Sequence, residues 1–301
     1  MSSNREKFIQ ALQSISERVD RALDHWLPQP NLQTSGRLNE AVRYSALAGG
    51  KRIRLALCLM VAESSGAPCE AALRAGCAFE LIHAYSLIHD DLPAMDDDDY
   101  RRGKPTNHKV FGEAVAILAG DSLLTLAFEW FAGLTQYGVS AENTVDIVRL
   151  AAQAAGHAGM VGGQMLDLTY ERRETDLATL ETIHRQKTGA LISAPMKTGA
   201  ILAGLQPDDR RIIEDYAAKI GLLFQIRDDL LDVEGDLAQL GKQVGRDAAL
   251  GKTTFPGLLG LQAAQDYARK TLEEAHELMQ KLSQPIPILA DMADYIYYRQ
   301  K

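Results

Sequence analysis

Apolar side chains recur along this chain at the three- and four-residue spacing of an amphipathic helix. The spacing predicts a first helix over residues 8–19 and a second over 41–47, which Gly49-Gly50 ends. The same pattern predicts further helices near residues 53–64, 70–91, 112–135, 141–158, 177–203, 208–233 and 256–282. Strands would be indicated by alternating runs of Val, Thr and aromatic residues bounded by turn dipeptides. The sequence contains no such run. The pattern therefore predicts an all-α fold.

Two of these segments, Ala75 to Ile88 and Ile220 to Leu231, are apolar on more than one face. Helices of this kind belong in the interior of a large bundle. The chain has no Ser/Gly/Pro-rich linker and no repeat at a fixed period. We therefore expect a large helical bundle that forms a single domain over residues 1–301.

Aspartates cluster at the end of two apolar helical segments. The first cluster contains Asp90, Asp91 and Asp96 to Asp99, and a charged loop over 96–106 follows it. Like charges about 4 Å apart repel by roughly 4 kcal/mol at an effective dielectric near 20, so a cation must compensate them. Carboxylate oxygens favour a hard divalent ion, of which Mg²⁺ is usual beside phosphates. Pro93 breaks the helix, and we expect this break to let Asp96 return beside Asp90.

The second cluster combines Asp228, Asp229 and Asp232 on one helix. Asp228 and Asp232 are four residues apart and share a face, whereas Asp229 points about 100° away. A glycine-bearing loop over 235–251 follows. Charged loops beside both clusters indicate an open site with a lid.

Basic residues supply the opposite charge. Gly49-Gly50-Lys51-Arg52-Ile53-Arg54 is predicted to open a helix with three cations in its first turn, where cations are disfavoured unless an anion binds. Arg101-Arg102, Lys187-Thr188-Gly189, Lys242 and Lys252 carry further polar or positive groups. Two carboxylate clusters combined with basic loops indicate a substrate that bears a diphosphate.

The composition limits the classes of partner and the cellular location that we expect for this protein. The net charge of −8 and the sequence pI near 5.4 argue against a nucleic-acid partner. The cysteines Cys58, Cys69 and Cys77 form no CxxC pair, so free thiols in a reduced compartment are expected. We see no signal peptide and no uninterrupted apolar run of about 18 residues. The expectation is a cytoplasmic protein without a membrane span.

These motifs resemble those of the trans-isoprenyl diphosphate synthases, and most closely the short-chain bacterial farnesyl type, over nearly the whole chain. The resemblance is carried by residues 49–54, 83–91, 101–106, 162–164 with Asp167, 187–190, and 224–225 with Asp228, Asp229 and Asp232. The chain departs from the family pattern at Leu55, where proline is frequent, and at Arg227, where relatives vary.

The resemblance implies an all-α fold around a central cavity, a homodimer and three Mg²⁺ ions in each active site. It implies a prenyltransferase that condenses dimethylallyl or geranyl diphosphate with isopentenyl diphosphate to give farnesyl diphosphate and pyrophosphate. Carried over by position, Asp90, Asp96 and Asp228 would bind metal, supported by Asp91 and Asp232. The allylic diphosphate would contact Arg101, Lys187, Thr188, Gln225, Lys242 and Lys252, of which Lys187, Thr188, Gln225 and Lys242 would be catalytic. Isopentenyl diphosphate would contact Lys51, Arg54, His83 and Arg102.

Two positions on the helix before the first cluster refine this hypothesis. His83 lies two turns before Asp90 on nearly the same face, which favours an anion-binding role over simple core packing. Tyr85 lies five residues before Asp90, roughly 7–8 Å deeper along the helix. The resembling family controls product length here, and an aromatic ring goes with a C15 product.

Alternatives remain open at this point. A geranyl or geranylgeranyl diphosphate synthase would share all of these motifs. A class I terpene cyclase would share the aspartates, but it would have less need of cations such as Lys51, Arg54 and Arg102. A helical phosphohydrolase would need paired His-Asp motifs, and only His89-Asp90 fits. A non-catalytic subunit would be expected to lack some of these residues.

Overall fold

Helices make up nearly all of the regular structure, as the apolar periodicity predicts. The computed structural model describes residues 2–30, 35–64, 66–173, 175–234 and 252–299. Its helices are α1 Ser2–Trp26, α2 Gly36–Ala46, α3 Ile53–Ser64, α4 Cys69–Asp90, α5 Asn107–Phe111, α6 Glu113–Ala132, α7 Ala141–Ala155, α8 Met160–Tyr170, α9 Leu177–His184, α10 Ala190–Leu202, α11 Pro207–Glu234, α12 Phe255–Leu259, α13 Leu261–Met279 and α14 Pro287–Tyr298. A 3₁₀ turn, Gly133–Tyr137, extends α6, and a π-helical turn, Arg185–Gly189, joins α9 to α10.

The observed boundaries extend beyond the predicted ones in α1, which was predicted over 8–19, and at the start of α2, which was predicted over 41–47. Further differences fall at glycine and proline. Gly260, with a φ of 83°, separates α12 from α13 where one helix over 256–282 was expected. The five-residue helix α5 was not predicted. Neither were the helices α8 and α14. The first contains Gly162-Gly163, which weakens the helical signal, and the second begins with Pro287. Proline suits the first turn of a helix because its missing amide donor is not needed there.

A short β-hairpin occupies the charged loop over 96–106, where no strand was expected. Strand β1, Tyr100–Arg101, pairs antiparallel with β2, Lys104–Pro105. Arg102 and Gly103 connect them with φ angles of 53° and 75°. Positive φ at both turn residues is typical of the two-residue turn that matches the twist of paired strands.

The residues group into two compact units, which we describe separately. The N-terminal unit is Ile9–Val148, and the C-terminal unit combines Met1–Phe8 with Arg149–Lys301. The expected single domain over 1–301 stays a prediction.

In the N-terminal unit, α4 packs between α3 and α6. Gly76 of α4 permits close contact, because a Cβ there would lie 2.6 Å from Cγ of Leu55 on α3. Leu55 is fully buried, so the residue that departs from the family pattern fills the space at this helix crossing. In the C-terminal unit, α11 packs against α10, α13 and α14. Tyr216 of α11 is fully buried, and its hydroxyl donates to the carbonyl oxygen of Leu289.

The segment Glu113–Tyr137 is the one candidate membrane span among the described helices, with a mean hydropathy of 1.5 over its most apolar window. Asp121 and Glu129 interrupt it, so the expectation of no uninterrupted apolar run is unchanged. A core helix of a soluble protein has the same length and composition, and one such helix is therefore weak evidence for a membrane span. The side that faces α4 carries small residues such as Ala116 and Gly120, while Ile117 and Leu118 are exposed.

Candidate active site

The chain reverses direction directly after α4 and brings the two halves of the first aspartate cluster together. The backbone N–H of Asp96 donates to the carbonyl oxygen of Asp90 at 2.8 Å, and that of Asp98 donates to Asp91 at 3.2 Å. Pro93 lies at the reversal. The sequence-based expectation that Asp96 returns beside Asp90 is therefore met by the backbone. Their role as metal ligands stays a prediction.

Asp91 is buried at this turn, and Arg101 covers its carboxylate. Nε of Arg101 donates to both carboxylate oxygens of Asp91, at 2.7 and 2.9 Å, and Nη2 lies 2.5 Å from Oδ1. Burial raises the pKa of Asp91, and the guanidinium opposes that rise. Arg101 also lies 3.5 Å from Asp98. The β-hairpin that carries Arg101 is thus fastened to the end of α4, which agrees with a supporting role for Asp91.

A cationic cavity lies beside this turn within the N-terminal unit. Its lining includes Tyr44, Arg52, His83, Arg101 and Arg102. The hairpin turn directs Arg102 onto Gly49, whose carbonyl oxygen accepts from its guanidinium. Gly50 has a φ of 137°, which side chains rarely adopt, and a Cβ there would also lie within 3 Å of that guanidinium. Cations gathered in a partly buried cavity suit a diphosphate.

The three cations that were predicted to share the first turn of α3 are in fact separated. The helix begins only at Ile53, so Lys51 and Arg52 precede it. Arg52 is buried and pairs with Glu80 at 3.2 Å and with Asp20 at 2.8 Å, which makes it a structural residue. Lys51 is exposed and Arg54 is half-buried.

His83 is held neutral in this cavity. Burial lowers its pKa well below the ordinary value, and the nearby cations Arg54 and Arg102 lower it further. An anion-binding role for His83 would therefore depend on a neutral imidazole that donates a hydrogen bond.

In the C-terminal unit, Lys187 lies in the π-helical turn and contacts Asp167 of α8. Lys187 Nζ lies 2.6 Å from Asp167 Oδ2, and Lys252 Nζ lies 3.6 Å from the same oxygen. Burial alone would raise the pKa of Asp167, but Lys187 and Lys252 hold it below the ordinary value. Gly163 permits this approach, because a Cβ there would lie 2.1 Å from the backbone nitrogen of Lys187. The sequence motif included Asp167, but its pairing with both lysines was not predicted.

A hydrogen-bonded chain orients the polar groups next to Lys187. Thr188 Oγ1 donates to Gln225 Oε1 at 3.1 Å, and Gln225 Nε2 donates to Asp229 Oδ1 at 2.9 Å. The second oxygen of Asp229 accepts from the backbone N–H of Phe255 at 2.9 Å. Asp229 is almost completely buried, so it fastens the start of α12 to α11. Its orientation away from Asp228 agrees with the helical spacing, but this anchoring role was missed.

His184, at the end of α9, contacts Phe255 and Asp229, which belong to this series of hydrogen bonds. Its ring stacks on Phe255 with centroids 5.4 Å apart, and its Nε2 lies 3.8 Å from Asp229 Oδ2. That nitrogen is buried and makes no hydrogen bond to any residue that the structure describes. Burial is the largest cause that lowers the pKa of His184, to about 4.

We expect His184 to make the protein less stable in weak acid. The unfolded chain takes up a proton at this histidine below about pH 6.5, whereas the folded chain does so only near pH 4. Stability therefore falls as the pH drops between these values. His184→Gln should reduce the loss of unfolding free energy between pH 7.5 and 4.5 by about 2–3 kcal/mol. Urea unfolding at both pH values measures this difference. The exposed His157, replaced in the same way, is the control, and an equal effect of both variants would contradict the assignment.

The remaining predicted residues are placed as follows. Asp228 is 47% exposed and contacts Arg299. Arg299 was not identified from the sequence as a residue of the site. Asp232 is half-buried. Lys242 lies outside the described residues. The Tyr85 ring is buried on α4, and its centroid lies 5.7 Å from that of His89.

The carboxylates fit a magnesium ion by chemistry, but not as a complete set of protein ligands. Among the described residues, no group of three or more His, Cys, Asp or Glu side chains converges to hold a metal. Mg²⁺ is usually held by one or two carboxylates together with water and substrate phosphates, so such a convergence is not required. Asp90, Asp96 and Asp228 could each contribute in this way.

Comparison with known proteins decides the family. The sequence model of the polyprenyl synthetase family matches residues 35–287. The chain belongs to the polyprenyl synthetase family. It is 45% identical over 301 residues to the farnesyl diphosphate synthase of Escherichia coli (strain K12), covering 98% of this chain and 99% of that protein.

Two further proteins extend the comparison. The chloroplastic heterodimeric geranylgeranyl pyrophosphate synthase large subunit 1 of Arabidopsis thaliana is 45% identical over 290 residues, covering 95% of this chain and 77% of that protein. The solved structure of a Helicobacter pylori geranyltransferase, complexed with magnesium and isoprenyl diphosphate, matches with a TM-score of 0.81 at 30% identity, covering 96% of each chain.

As a member of this family, the chain is a prenyltransferase of isoprenoid synthesis with an all-α fold. The resemblance inferred from the motifs is therefore confirmed. The farnesyl and geranylgeranyl synthases among the relatives are equally identical to this chain, so identity does not resolve the product length.

Proposed function

We propose that the chain is a magnesium-dependent farnesyl diphosphate synthase. It would join isopentenyl diphosphate to dimethylallyl diphosphate, and then to the geranyl diphosphate so formed, and release pyrophosphate at each step. The observation that supports the C15 product is Tyr85, whose buried ring lies on α4 below Asp90 and is backed by His89.

The geometry supports bond cleavage at the allylic carbon. When the carbon–oxygen bond breaks, the diphosphate gains negative charge and the allyl group becomes a cation. Lys187 and Lys252, already drawn together by Asp167, would stabilise the leaving diphosphate. Asp90, Asp96 and Asp228 would hold Mg²⁺, which neutralises diphosphate charge when bound. The number of three ions per site is part of the proposal.

The allyl cation needs nearby partial negative charge and protection from water. The Thr188 hydroxyl and the Gln225 amide oxygen are held together by their hydrogen bond, and Asp229 fixes the amide so that its oxygen points to Thr188. On α8, the exposed side chains Val161, Met165 and Leu168 form an apolar stripe whose centre lies about 125° around the helix from Asp167. We propose that this stripe shelters the prenyl tail.

Isopentenyl diphosphate would occupy the cationic cavity lined by Arg102 and His83, with Lys51 and Arg54 as further contacts. Its double bond attacks the allyl cation, and a proton then leaves the adjacent carbon. Burial and nearby cations lower the pKa of His83, so its imidazole is a poor acceptor for this proton. The departing pyrophosphate would therefore accept that proton.

Product analysis tests this proposal. Pure protein is incubated with isopentenyl and dimethylallyl diphosphates, with and without Mg²⁺, and the dephosphorylated products are separated by chromatography. A C15 alcohol formed only with Mg²⁺ is the expected result. C20 as the main product would favour a geranylgeranyl synthase, cyclic hydrocarbons would favour a cyclase, and phosphate release alone a hydrolase.

A homodimer also belongs to the proposal. Ile117 and Leu118 on α6 and Val145 on α7 are large apolar residues that are 44%, 56% and 65% exposed. Large contiguous apolar surface marks interfaces, and we propose that these residues contribute to such a surface. Light scattering should give twice the chain mass of 33.0 kDa. A monomer that gains activity only with another chain would instead indicate a heteromeric synthase, as the Arabidopsis relative is named. The cytoplasmic location stays a prediction from the sequence.

A further inference from the structure

Arg299, which directly follows α14, lies against the second aspartate cluster. Its Nη2 contacts Asp228 Oδ1 at 2.5 Å and donates to the carbonyl oxygen of Phe224 at 2.9 Å. Its guanidinium carbon lies 4.0 Å from the centre of the Phe224 ring. Phe224 and Asp228 are four residues apart, so one face of α11 supplies all three contacts. The Arg299 side chain is only 5% exposed.

These contacts are specific enough to fix the position of the charge. A buried guanidinium is costly unless it is paired, and here a carboxylate, a carbonyl oxygen and an aromatic face all receive it. Arg227 also holds Arg299 in place, through a contact with its backbone. Its Nη2 donates to the carbonyl oxygen of Arg299 at 3.3 Å, and its own Nη1 lies 3.7 Å from Glu234. Arg299 is therefore held at Asp228 by several groups.

The pairing has a consequence for any cation that shares Asp228. A guanidinium within hydrogen-bond distance of the carboxylate already compensates its charge, and it repels a second cation placed beside the same oxygens. A divalent ion at Asp228 must therefore displace Arg299 or bind against its charge. Diphosphate oxygens on the ion would supply the negative charge that offsets this repulsion.

We propose that Arg299 is a positioning residue that competes with divalent metal for Asp228 and thereby couples metal binding there to diphosphate binding. The inference rests on the proposed function, because it takes Asp228 as a metal ligand of a diphosphate-transferring enzyme. Arg299 would then influence the order in which ligands bind. A divalent ion that arrives with a diphosphate would bind at Asp228, whereas binding of the ion alone would be disfavoured.

Metal titration without turnover tests the coupling. Mn²⁺ binding is followed by electron paramagnetic resonance of the free ion, first with metal alone and then with inorganic pyrophosphate present. Arg299→Gln should bind Mn²⁺ alone roughly three- to tenfold more tightly than the wild type at one of its sites. The gain in Mn²⁺ affinity caused by pyrophosphate should shrink by a similar factor, because pyrophosphate already offsets the repulsion from Arg299 in the wild type.

Matched variants separate this effect from a general loss of charge. Arg269 and Arg299 line one surface groove of the C-terminal unit, but Arg269 pairs with Asp266 at 2.9 Å. The Arg269→Gln variant should therefore bind Mn²⁺ like the wild type. Arg299→Lys keeps the charge and should restore most of the pyrophosphate dependence. If Arg299→Gln does not fold, Phe224→Leu removes the aromatic support of the guanidinium, and it should raise the affinity for Mn²⁺ alone in the same direction.

The outcomes are distinct from those of the product assay. Unchanged or weaker binding of Mn²⁺ alone in Arg299→Gln, or in Phe224→Leu if that variant is used, would overturn the inference even if the wild type forms C15 product. Equal tightening in Arg269→Gln would also overturn it, since the cause would then be net charge. Absence of prenyl products in the wild type would defeat the proposed function instead.

Discussion

Replacing Asp90 by Asn should lower kcat by roughly three orders of magnitude, equivalent to about 4 kcal/mol of transition-state stabilisation. Asp90 ends α4 at the turn whose backbone brings Asp96 back to it, so its carboxylate belongs to the pair that we propose as a magnesium site. Asparagine keeps the shape but loses the charge that attracts the ion. The measurement is the rate of allylic product formation at saturating substrates over a range of Mg²⁺ concentrations.

Asp99 provides the matched control in the same acidic run. Its carboxylate is 62% exposed and pairs with Lys109 at 2.6 Å, a contact on the surface. An exposed ion pair contributes about 0–1 kcal/mol, so Asp99→Asn should change kcat by less than about twofold. Both variants should keep the circular dichroism of the wild type. Full activity of Asp90→Asn, or equal losses in the two variants, would argue against a metal site at the α4 turn.

The sequence predicts the fold well where the signal is local. The helices α3 and α11 begin and end within one residue of their predicted bounds, because their apolar positions repeat over several turns. The helices that were not predicted, α5, α8 and α14, carry weaker local signals. Pro287 was an available indication, since proline is frequent at the first position of a helix.

The sequence allowed us to predict which types of residue form the site. It did not allow us to predict which of these side chains pair with one another. The return of Asp96 to Asp90 was predictable because Pro93 breaks the helix only a few residues away. In contrast, Lys187 pairs with Asp167 from 20 residues away, and Arg299 reaches Asp228 across 71 residues. Such contacts depend on how α8, α11 and α14 pack, and no local periodicity encodes them. The same limit explains why Arg52 was grouped with substrate cations although it is buried with Glu80.

Replacing Tyr85 by Ala should shift the main product from C15 to C20 or longer. Tyr85 lies about 7–8 Å from Asp90 along α4, and its ring is 6% exposed. The ring has a rigid support: His89 Nε2 lies 3.1 Å from the carbonyl oxygen of Ile117, and Gly120 leaves the space that this imidazole fills. A wall of this kind cannot yield to a growing chain. Removing the ring opens a space that a longer chain can fill.

Chain-length analysis of the extracted, dephosphorylated products measures this shift. Tyr85→Phe keeps the ring and loses only the hydroxyl, so it should still stop at C15. Tyr85→Ala also leaves a cavity in the N-terminal unit, which costs roughly 3–5 kcal/mol of stability, and the assay is therefore run well below its melting temperature. If Tyr85→Ala folds and still gives only C15, the ring does not limit the product. The support from Tyr85 for a farnesyl product over a geranylgeranyl product would then be lost, because the relatives are equally similar to both classes.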